Sequence, residues 1–401
     1  MSFADIAYLF TSGGDDPVIE ASENWELEWD DIPSDAPIVI WGRGPARSGL
    51  APAHLMAHGA RRAASVVNLR RPRGARGRRV TLHRWDPPVL QPGLANIPRS
   101  ALRAGLVAEL RRPDAPPSLA ARAASDARAR LSGLRFGSGG AILAMDATER
   151  GVLRIARREG PAGSAAGNDA LRALEEAGVP RVPRLLREGA AEDASWSLET
   201  RLPGSRPPSA TPELARAVAD FTASLPTTRG PSRSIDEDVV ALTAIAPEHA
   251  AVLKAARKRA ARAIRGLPAV TVHGDLWLGN VLVERGALTG VVDWDAWRPA
   301  GVPGTDLLHF VANDIARRAG SSAGETWLRR PWRSQEFESA AAAYWARLRI
   351  EPTSAVLDAV GLAWWASLVA STLRRLPHLA EDETWMRANV RVVAERLAQE
   401  A

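Results

Sequence analysis

Three polar side chains in an apolar stretch have the types and spacing to act on a phosphate group. Asn280 follows Asp275 by five positions, and Asp293 comes thirteen positions later. Residues 281–292 are mostly β-branched or apolar around a turn at 284–287, which predicts a hairpin that brings Asp293 back to Asn280. Their amide and carboxylate oxygens suit Mg²⁺, which proteins usually hold with one or two side chains together with phosphates. Asp275 would then lie within reach of a hydroxyl group that is being phosphorylated.

This pattern resembles a kinase catalytic loop followed by a metal-binding aspartate. His273-Gly274-Asp275, Asn280 and the run Asp293-Trp294-Asp295 resemble the aminoglycoside phosphotransferase family, which also has choline-, homoserine- and sugar-kinase-like members. The tripeptide alone is weak evidence, whereas the tripeptide, both spacings and the hairpin together are specific. The resemblance covers about residues 131–401. It implies an α+β, two-lobed, protein-kinase-like fold with a small β-rich lobe and a large helical lobe.

The resemblance also implies a role for each polar residue of the stretch. Asp275 would orient the acceptor hydroxyl and accept its proton, and Asn280 and Asp293 would hold Mg²⁺ against the phosphates of ATP. Asp295 would add a second metal site or an outer contact, or would cap the following turn. His273 is grouped with Asp275 as a catalytic residue, although bracing the loop by hydrogen bonds is its simpler role.

Two further residues near this stretch are expected to shape the loop. Asp306, in the run Gly304-Thr305-Asp306-Leu307-Leu308, resembles a family position that supports the catalytic loop from below. Trp277 lies between the base and the first metal ligand. It would either pack on the substrate or fix the loop to the large lobe, and the sequence favours neither alternative.

Nucleotide contacts are expected from the small lobe. Gly137-Ser138-Gly139-Gly140 joins two predicted strands, where backbone amides can approach phosphates, although a simple hairpin turn has the same pattern. The third strand offers Arg154 where kinase-like folds usually place a lysine, and arginine keeps the charge with a different geometry. Its acidic partner is expected at Asp169 or Glu175, with Asp169 preferred. Main-chain groups from Glu199 to Arg201 would contact adenine.

The sequence divides into four predicted segments. Residues 1–112 form a small α/β domain of unknown role, and 113–130 form a proline-rich linker and a helix with Ser118 as N-cap. Residues 131–203 form the small lobe of the kinase-like part. Residues 204–401 form its helical lobe, in which Trp364 and Trp365 are expected in the core.

Within the N-terminal domain, apolar runs predict strands at 37–41, 64–69 and 80–85, and helices at 51–62 and 100–111. The arginine-rich run at 70–79 could bind phosphate groups of a nucleic acid, an anionic polymer or a membrane surface. No aromatic residue interleaves with these arginines to stack on bases, so a solvated loop is favoured. We expect no nucleic-acid partner.

Bulk composition points to a soluble protein. The 401 residues include no cysteine, which excludes disulfides and thiolate metal sites. The N-terminus lacks a signal-peptide pattern, and the longest apolar run, 359–370, is too short to span a bilayer. The net charge of +6 comes almost wholly from arginine, since Lys254 and Lys258 are the only lysines. A cytoplasmic location is expected, and the oligomeric state is left open.

The leading hypothesis is an ATP- and Mg²⁺-dependent phosphotransferase that acts on a hydroxyl of a sugar, an amino alcohol or an aminoglycoside-like compound. The alternative is a non-catalytic nucleotide-binding or scaffold protein on the same fold, which Arg154 favours and the intact Asp275, Asn280 and Asp293 oppose. A third possibility makes residues 1–112 a separate enzyme, but no catalytic constellation occurs there.

Overall fold

The computed structural model divides the chain into two compact units. The described residues are 3–13, 16, 18–20, 37–43, 79–85, 105–111, 114–131, 135–136, 141–146, 151–158, 165–228, 230, 232 and 234–400. Unit 1 takes in the described residues up to 85, those from 105 to 165, and 185–201, whereas unit 2 takes in 166–184 and 202–400. The described elements form an α+β fold, as the sequence predicts.

The described part of unit 1 contains two sheets. The first has the order β1-β2-β4-β3, in which β1 runs parallel to β2 and the other pairs are antiparallel. The second is antiparallel with the order β5-β6-β7-β9-β8. The elements are α1 Phe3–Leu9, β1 Val18–Glu20, β2 Ile38–Arg43, β3 Arg79–Trp85, β4 Gly105–Arg111, α2 Leu119–Asp126, β5 Arg135–Phe136, β6 Ile142–Asp146, β7 Gly151–Arg157, β8 Leu185–Ala191 and β9 Ala194–Thr200.

One hydrophobic core joins the N-terminal elements to the second sheet. Phe10, after α1, and Leu119 of α2 are fully buried in the same cluster as Ile155 of β7 and Leu198 of β9. Ser118 caps α2 by accepting a hydrogen bond from the Ala121 N–H, as predicted. The segment predicted as linker and helix therefore lies inside unit 1. A separate N-terminal domain stays a prediction.

The N-terminal strand predictions at 37–41 and 80–85 are confirmed by β2 and β3. The helix predicted at 100–111 is wrong, because residues 105–111 form strand β4. Its leucines fit an alternation of two as well as a helical spacing, and periodicity alone does not separate the two for a short run. Hydrogen bonding to both β2 and β3 favours the strand. The elements predicted at 51–62 and 64–69, and the arginine-rich run up to residue 78, lie outside the described residues.

Unit 2 is mainly helical. Its longest helix, α10, packs against α5, α6 and α7. The elements are α3 Ala165–Glu176, α4 Pro212–Thr222, β10 Thr227–Thr228, α5 Ser234–Ile245, α6 Ala250–Ala263, β11 Ala269–Val272, β12 Val281–Glu284, β13 Ala287–Val291, β14 Arg298–Gly301, α7 Thr305–Ala319, α8 Ala323–Leu328, α9 Gln335–Leu348, α10 Ser354–Arg375, α11 Glu383–Met386 and α12 Val392–Gln399.

Helix α10 is the one helix in the described residues that is long and apolar enough to cross a membrane by length and composition. Of its most apolar 18-residue window, 72% is buried inside the structure. Trp364 and Trp365 are both buried, which confirms their predicted place in the core. Packing among helices therefore accounts for the apolar composition of α10.

The helical segment at the C-terminal end of unit 2, residues 383–399, is interrupted. A π-helical turn at Arg387–Arg391 separates α11 from α12. Within this turn, the Ala388 carbonyl accepts a hydrogen bond from the Ser322 hydroxyl, and the Asn389 carbonyl accepts one from the Trp365 indole. These hydrogen bonds to distant residues hold the two carbonyl groups of the π-helical turn. Sequence periodicity does not reveal such bonds.

Candidate active site

The catalytic-loop segment is held between buried residues. Strand β11 pairs with β10 and β14, and all four of its residues are buried. The loop leaves the strand at His273, and Leu276 and Leu278 anchor it in the core. The Asp275 side chain between these anchors keeps 16% of its surface exposed. The loop therefore fixes its backbone while leaving one carboxylate open to solvent.

Asp306 in the first turn of α7 supports the loop as predicted. Its carboxylate accepts hydrogen bonds from the His273 N–H at 2.6 Å and the Gly274 N–H at 3.0 Å. Burial raises the pKa of Asp306, and these two N–H groups partly oppose that rise. The carboxylate thus satisfies two buried donors directly before the candidate base.

His273 makes the contacts of a brace. Its Nδ1 accepts a hydrogen bond from the Asp275 N–H at 3.2 Å, so the ring proton lies on Nε2, which is 2.9 Å from the Val292 carbonyl. The ring also contacts Trp294, with centroids 4.5 Å apart. Both nitrogens are engaged with backbone groups, which favours the bracing role over proton transfer. The catalytic assignment of His273 stays a prediction.

Gly274 lies where the loop meets the turn after the hairpin. Its φ is +79°, and a Cβ at this position would overlap the Ala296 carbonyl. Both features require glycine. The close approach ties the catalytic loop to the turn that carries Asp293 and Asp295.

We expect Gly274→Ala to destabilise the protein by about 1–2 kcal/mol for its backbone conformation and by about 1–3 kcal/mol more for the overlap with Ala296. Urea unfolding measures the sum. Gly286→Ala is the matched control, because Gly286 has a φ of +80° with no atom within 4 Å of a new Cβ. Equal losses of stability in the two variants would contradict a role for the approach to Ala296.

The predicted hairpin is confirmed and brings Asn280 and Asp293 together. Val281 pairs with Val291, the Val292 N–H donates to the Asn280 carbonyl at 2.9 Å, and Asp293 follows directly. The Asn280 side chain is buried and donates from Nδ2 to the Asp275 carbonyl at 2.8 Å, which leaves its oxygen for another partner. Asp293 is exposed and has a left-handed backbone with φ 69°.

These two residues fit a magnesium ion, because their oxygens are the hard ligands that it prefers. Among the described residues, no group of three or more His, Asp or Glu side chains could hold a metal. A site with two protein ligands suits an ion that also needs phosphate oxygens. Magnesium binding by Asn280 and Asp293 stays a prediction.

Asp295 has a different neighbour. A Cβ on Gly167 would lie 2.5 Å from the Asp295 Oδ1, so this oxygen lies over the first turn of α3. Helix N-termini have unpaired N–H groups and favour negative charge. Asp295 is exposed, as is Asp293. Its contact with α3 favours an outer role over direct metal binding, and its predicted place among the metal ligands is untested.

Trp277 contacts its own loop. Trp277 is half-buried, and its ring lies against Gly279, where a Cβ would overlap it.

Asp382 caps α11 by accepting from the Trp385 N–H at 3.0 Å, and Glu383 pairs with Arg391. The acidic cluster thus stabilises its own helix.

The nucleotide-binding predictions fall mostly in unit 1. Gly137, Ser138, Gly139 and Gly140 lie outside the described residues. Arg154 is half-buried in β7 and pairs with Ser197, while Glu199 pairs with Val152. Paired residues share a face of a sheet, so Arg154 and Glu199 are diagonal neighbours on one face. Arg201 follows β9 and is exposed.

The predicted acidic partners of Arg154 lie in unit 2. Asp169 of α3 is exposed and pairs with Arg172 at 2.7 Å, one helical turn away. Glu175 lies 4.0 Å from Arg184. The pairing of Arg154 with either acid stays a prediction.

One functional candidate is not among the residues that the sequence predicts. His309 of α7 is buried, and its Nε2 lies 3.6 Å from the Asp275 Oδ1. Its Nδ1 accepts a hydrogen bond from the Trp364 indole at 3.0 Å. His309 lies three residues after Asp306 and therefore on the same helix face, which is the signal that could have revealed it.

The buried strand, the braced loop, the hairpin and the supporting helix form the catalytic-loop arrangement of a kinase-like phosphotransferase. The chain belongs to the phosphotransferase enzyme family, whose model, APH, matches residues 141–350, more than half of the 401 residues. Comparison with curated proteins gives no match.

Solved structures with similar folds include the macrolide 2'-phosphotransferase MphH from Brachybacterium faecium (18% identity, 68% of this chain and 97% of that chain, TM-score 0.44). The aminoglycoside phosphotransferase APH(3'')-Id from Streptomyces rimosus, in complex with ADP and streptomycin, has 19% identity over 57% of this chain and 94% of its own, with a TM-score of 0.38. ADP-bound APH(2'')-Ib has 14% identity over 68% of this chain and 97% of its own, with a TM-score of 0.45.

Proposed function

We propose that this phosphotransferase moves the terminal phosphoryl group of ATP, with Mg²⁺, to a hydroxyl of a small molecule. The observation that carries the proposal is the constellation of Asp275, Asn280 and Asp293 on one braced loop and hairpin. Phosphoryl transfer depends on positioning and charge stabilisation more than on covalent chemistry. A rigid loop with a partly exposed carboxylate provides such positioning.

Asp275 orients the acceptor hydroxyl and takes its proton as the oxygen–phosphorus bond forms and the bond to the departing ADP breaks. Asn280 and Asp293 hold the ion, which when bound neutralises charge on the phosphates. Asp306 and His273 keep the loop backbone in place and do not meet the substrate. Asp295 lies in the same turn as Asp293 and serves as an outer contact of the metal site.

Nucleotide binding is proposed for the glycine-rich segment and for Arg154 with its acidic partner, Asp169. Backbone groups between Glu199 and Arg201 receive the adenine. The acceptor is a sugar, an amino alcohol or an aminoglycoside-like compound. The acidic cluster at 381–383 gives no added weight to a polycationic acceptor, because Asp382 and Glu383 are engaged in their own helix.

The test is Mg²⁺-dependent ATP consumption by purified protein against a panel of sugars, amino alcohols and aminoglycosides, with Asp275→Ala alongside. We expect turnover with at least one acceptor, lost in the variant and lost on chelation of Mg²⁺. Product mass should rise by one phosphoryl group. This result would also name the class of acceptor.

Arg154 in place of the usual lysine supports a second candidate, a non-catalytic nucleotide-binding or scaffold protein. Calorimetry with ATP in the same experiment separates the two. Binding of ATP without consumption across the whole panel would contradict the phosphotransferase proposal and support the second candidate.

A further inference from the structure

The Trp364 indole fixes the tautomer of His309. Indole N–H only donates, and it donates to the His309 Nδ1 at 3.0 Å. Nδ1 therefore carries no proton in this network, and the ring proton lies on Nε2. Both side chains are buried, so no exposed group competes for these positions. The result is a donor of fixed direction in the core of unit 2.

That donor faces the candidate base. The His309 Nε2 lies 3.6 Å from the Asp275 Oδ1 and has no hydrogen-bond partner among the described residues. A buried donor without a partner costs free energy, so its position calls for an acceptor. A shift of roughly half an ångström would bring the pair to hydrogen-bonding distance. Hydrogen bonds at catalytic groups are often long without substrate and shorten in the complex.

Three other ionisable groups near the loop, Asp306, His273 and Arg298, have hydrogen-bond partners of their own. Asp306 accepts from the N–H groups of His273 and Gly274, and the His273 ring is engaged with backbone. Arg298 of β14 lines a cavity of about 30 Å³ together with Gly274 and His309.

Arg298 donates to both oxygens of the buried Asp238, at 2.6 and 2.7 Å. Arg374 of α10 lies 3.5 Å from the same carboxylate. The Arg298 guanidinium is thus paired with Asp238, whereas the His309 Nε2 faces the Asp275 carboxylate.

We propose that Trp364 and His309 form a hydrogen-bonded relay that positions Asp275 for catalysis. His309 donates from Nε2 to one carboxylate oxygen and so fixes the orientation of the carboxylate that receives the acceptor hydroxyl. His309 is a positioning residue, since it acts through Asp275. The inference rests on the proposed function, in which Asp275 is the base.

His309→Leu removes the donor. We expect kcat to fall by roughly 10- to 100-fold and the KM for ATP to stay unchanged. His309→Gln, whose amide offers both a donor and an acceptor, should recover most of kcat. Trp364→Phe keeps an aromatic ring but frees the tautomer, and should lower kcat less than His309→Leu.

His249→Leu is the matched control, because His249 lies beside Glu248 at the start of α6, apart from this relay. It should keep the kcat of the wild type. An unchanged kcat in His309→Leu, or an equal loss of kcat in His309→Gln, would overturn the proposal. Unfolding curves show whether His309→Leu folds. If it does not, the kinetics of Trp364→Phe and His309→Gln decide the test.

A second readout does not depend on turnover. ¹⁵N NMR of the histidine rings should show His309 with its proton on Nε2, and this signal should shift in Asp275→Asn. If the ¹⁵N shifts of the His309 ring do not change in Asp275→Asn, or if they place the proton on Nδ1, the proposed relay is wrong. Wild-type protein without turnover on any acceptor would instead overturn the proposed function alone, because the NMR comparison still tests the contact.

Discussion

Asp275→Asn should lower kcat by about 10²- to 10⁴-fold, which is the usual contribution of a general base. Asparagine matches aspartate in shape but does not accept the proton of a hydroxyl. The loop should survive the change, because Asp275 holds its neighbours through its backbone: its N–H donates to His273 and its carbonyl accepts from Asn280. The measurement is initial-rate kinetics with the acceptor found in the panel.

Calorimetry with ATP should give the same affinity for the variant and the wild type. Asp236→Asn is a matched control, because Asp236 is a half-exposed carboxylate of α5 that lies 3.4 Å from Arg257. This control should keep full activity. Retained turnover in Asp275→Asn would show that the acceptor hydroxyl loses its proton to another group, and the proposed base would be wrong.

The predictable part of the site is the part encoded locally. The hairpin has apolar runs on both sides of a turn in which Arg285 and Gly286 both have positive φ, as type I′ hairpin turns require. Once it closes, register alone brings Asp293 next to Asn280. Asp306 was found through its position in the family pattern, and its two hydrogen bonds explain that position.

The part that could not be predicted depends on packing between distant elements. His309 and Trp364 lie 55 residues apart and meet only because α7 and α10 pack together. No pattern within either helix marks them as partners. The strand at 105–111 was mistaken for a helix for a related reason, since its pairing with β2 and β3 lies outside any local window.

For the N-terminal segment too, the sequence does not reveal which residues pack together. A change of composition at the prolines near 113–117 suggests a boundary, but composition does not reveal which cores are shared. Phe10 and Leu119 are buried in one cluster with Ile155 and Leu198 of the kinase-like sheet. The sequence on both sides of the prolines therefore contributes to one core.

Asp293→Asn is expected to have the other large effect. Asparagine tolerates the left-handed backbone of Asp293, with φ 69° and ψ 62°, so the change removes charge without distorting the turn. Charge stabilisation by a metal contributes several kcal/mol to phosphoryl transfer. At about 1.4 kcal/mol per tenfold, the loss in kcat/KM should be roughly 10²-fold or more. A Mg²⁺ titration of the rate should also shift to higher concentration.

Asp295→Asn provides the matched comparison, because Asp295 lies two residues further along the same exposed turn but against α3. If its role is an outer contact, its loss of kcat/KM should be about tenfold, at the lower end of the range for groups that orient a metal ligand, and its Mg²⁺ titration should stay closer to the wild type than that of Asp293→Asn. A Mg²⁺ titration shifted as far as that of Asp293→Asn would instead make Asp295 a metal ligand. An unchanged titration in Asp293→Asn would contradict the proposed role of Asp293 in the magnesium site.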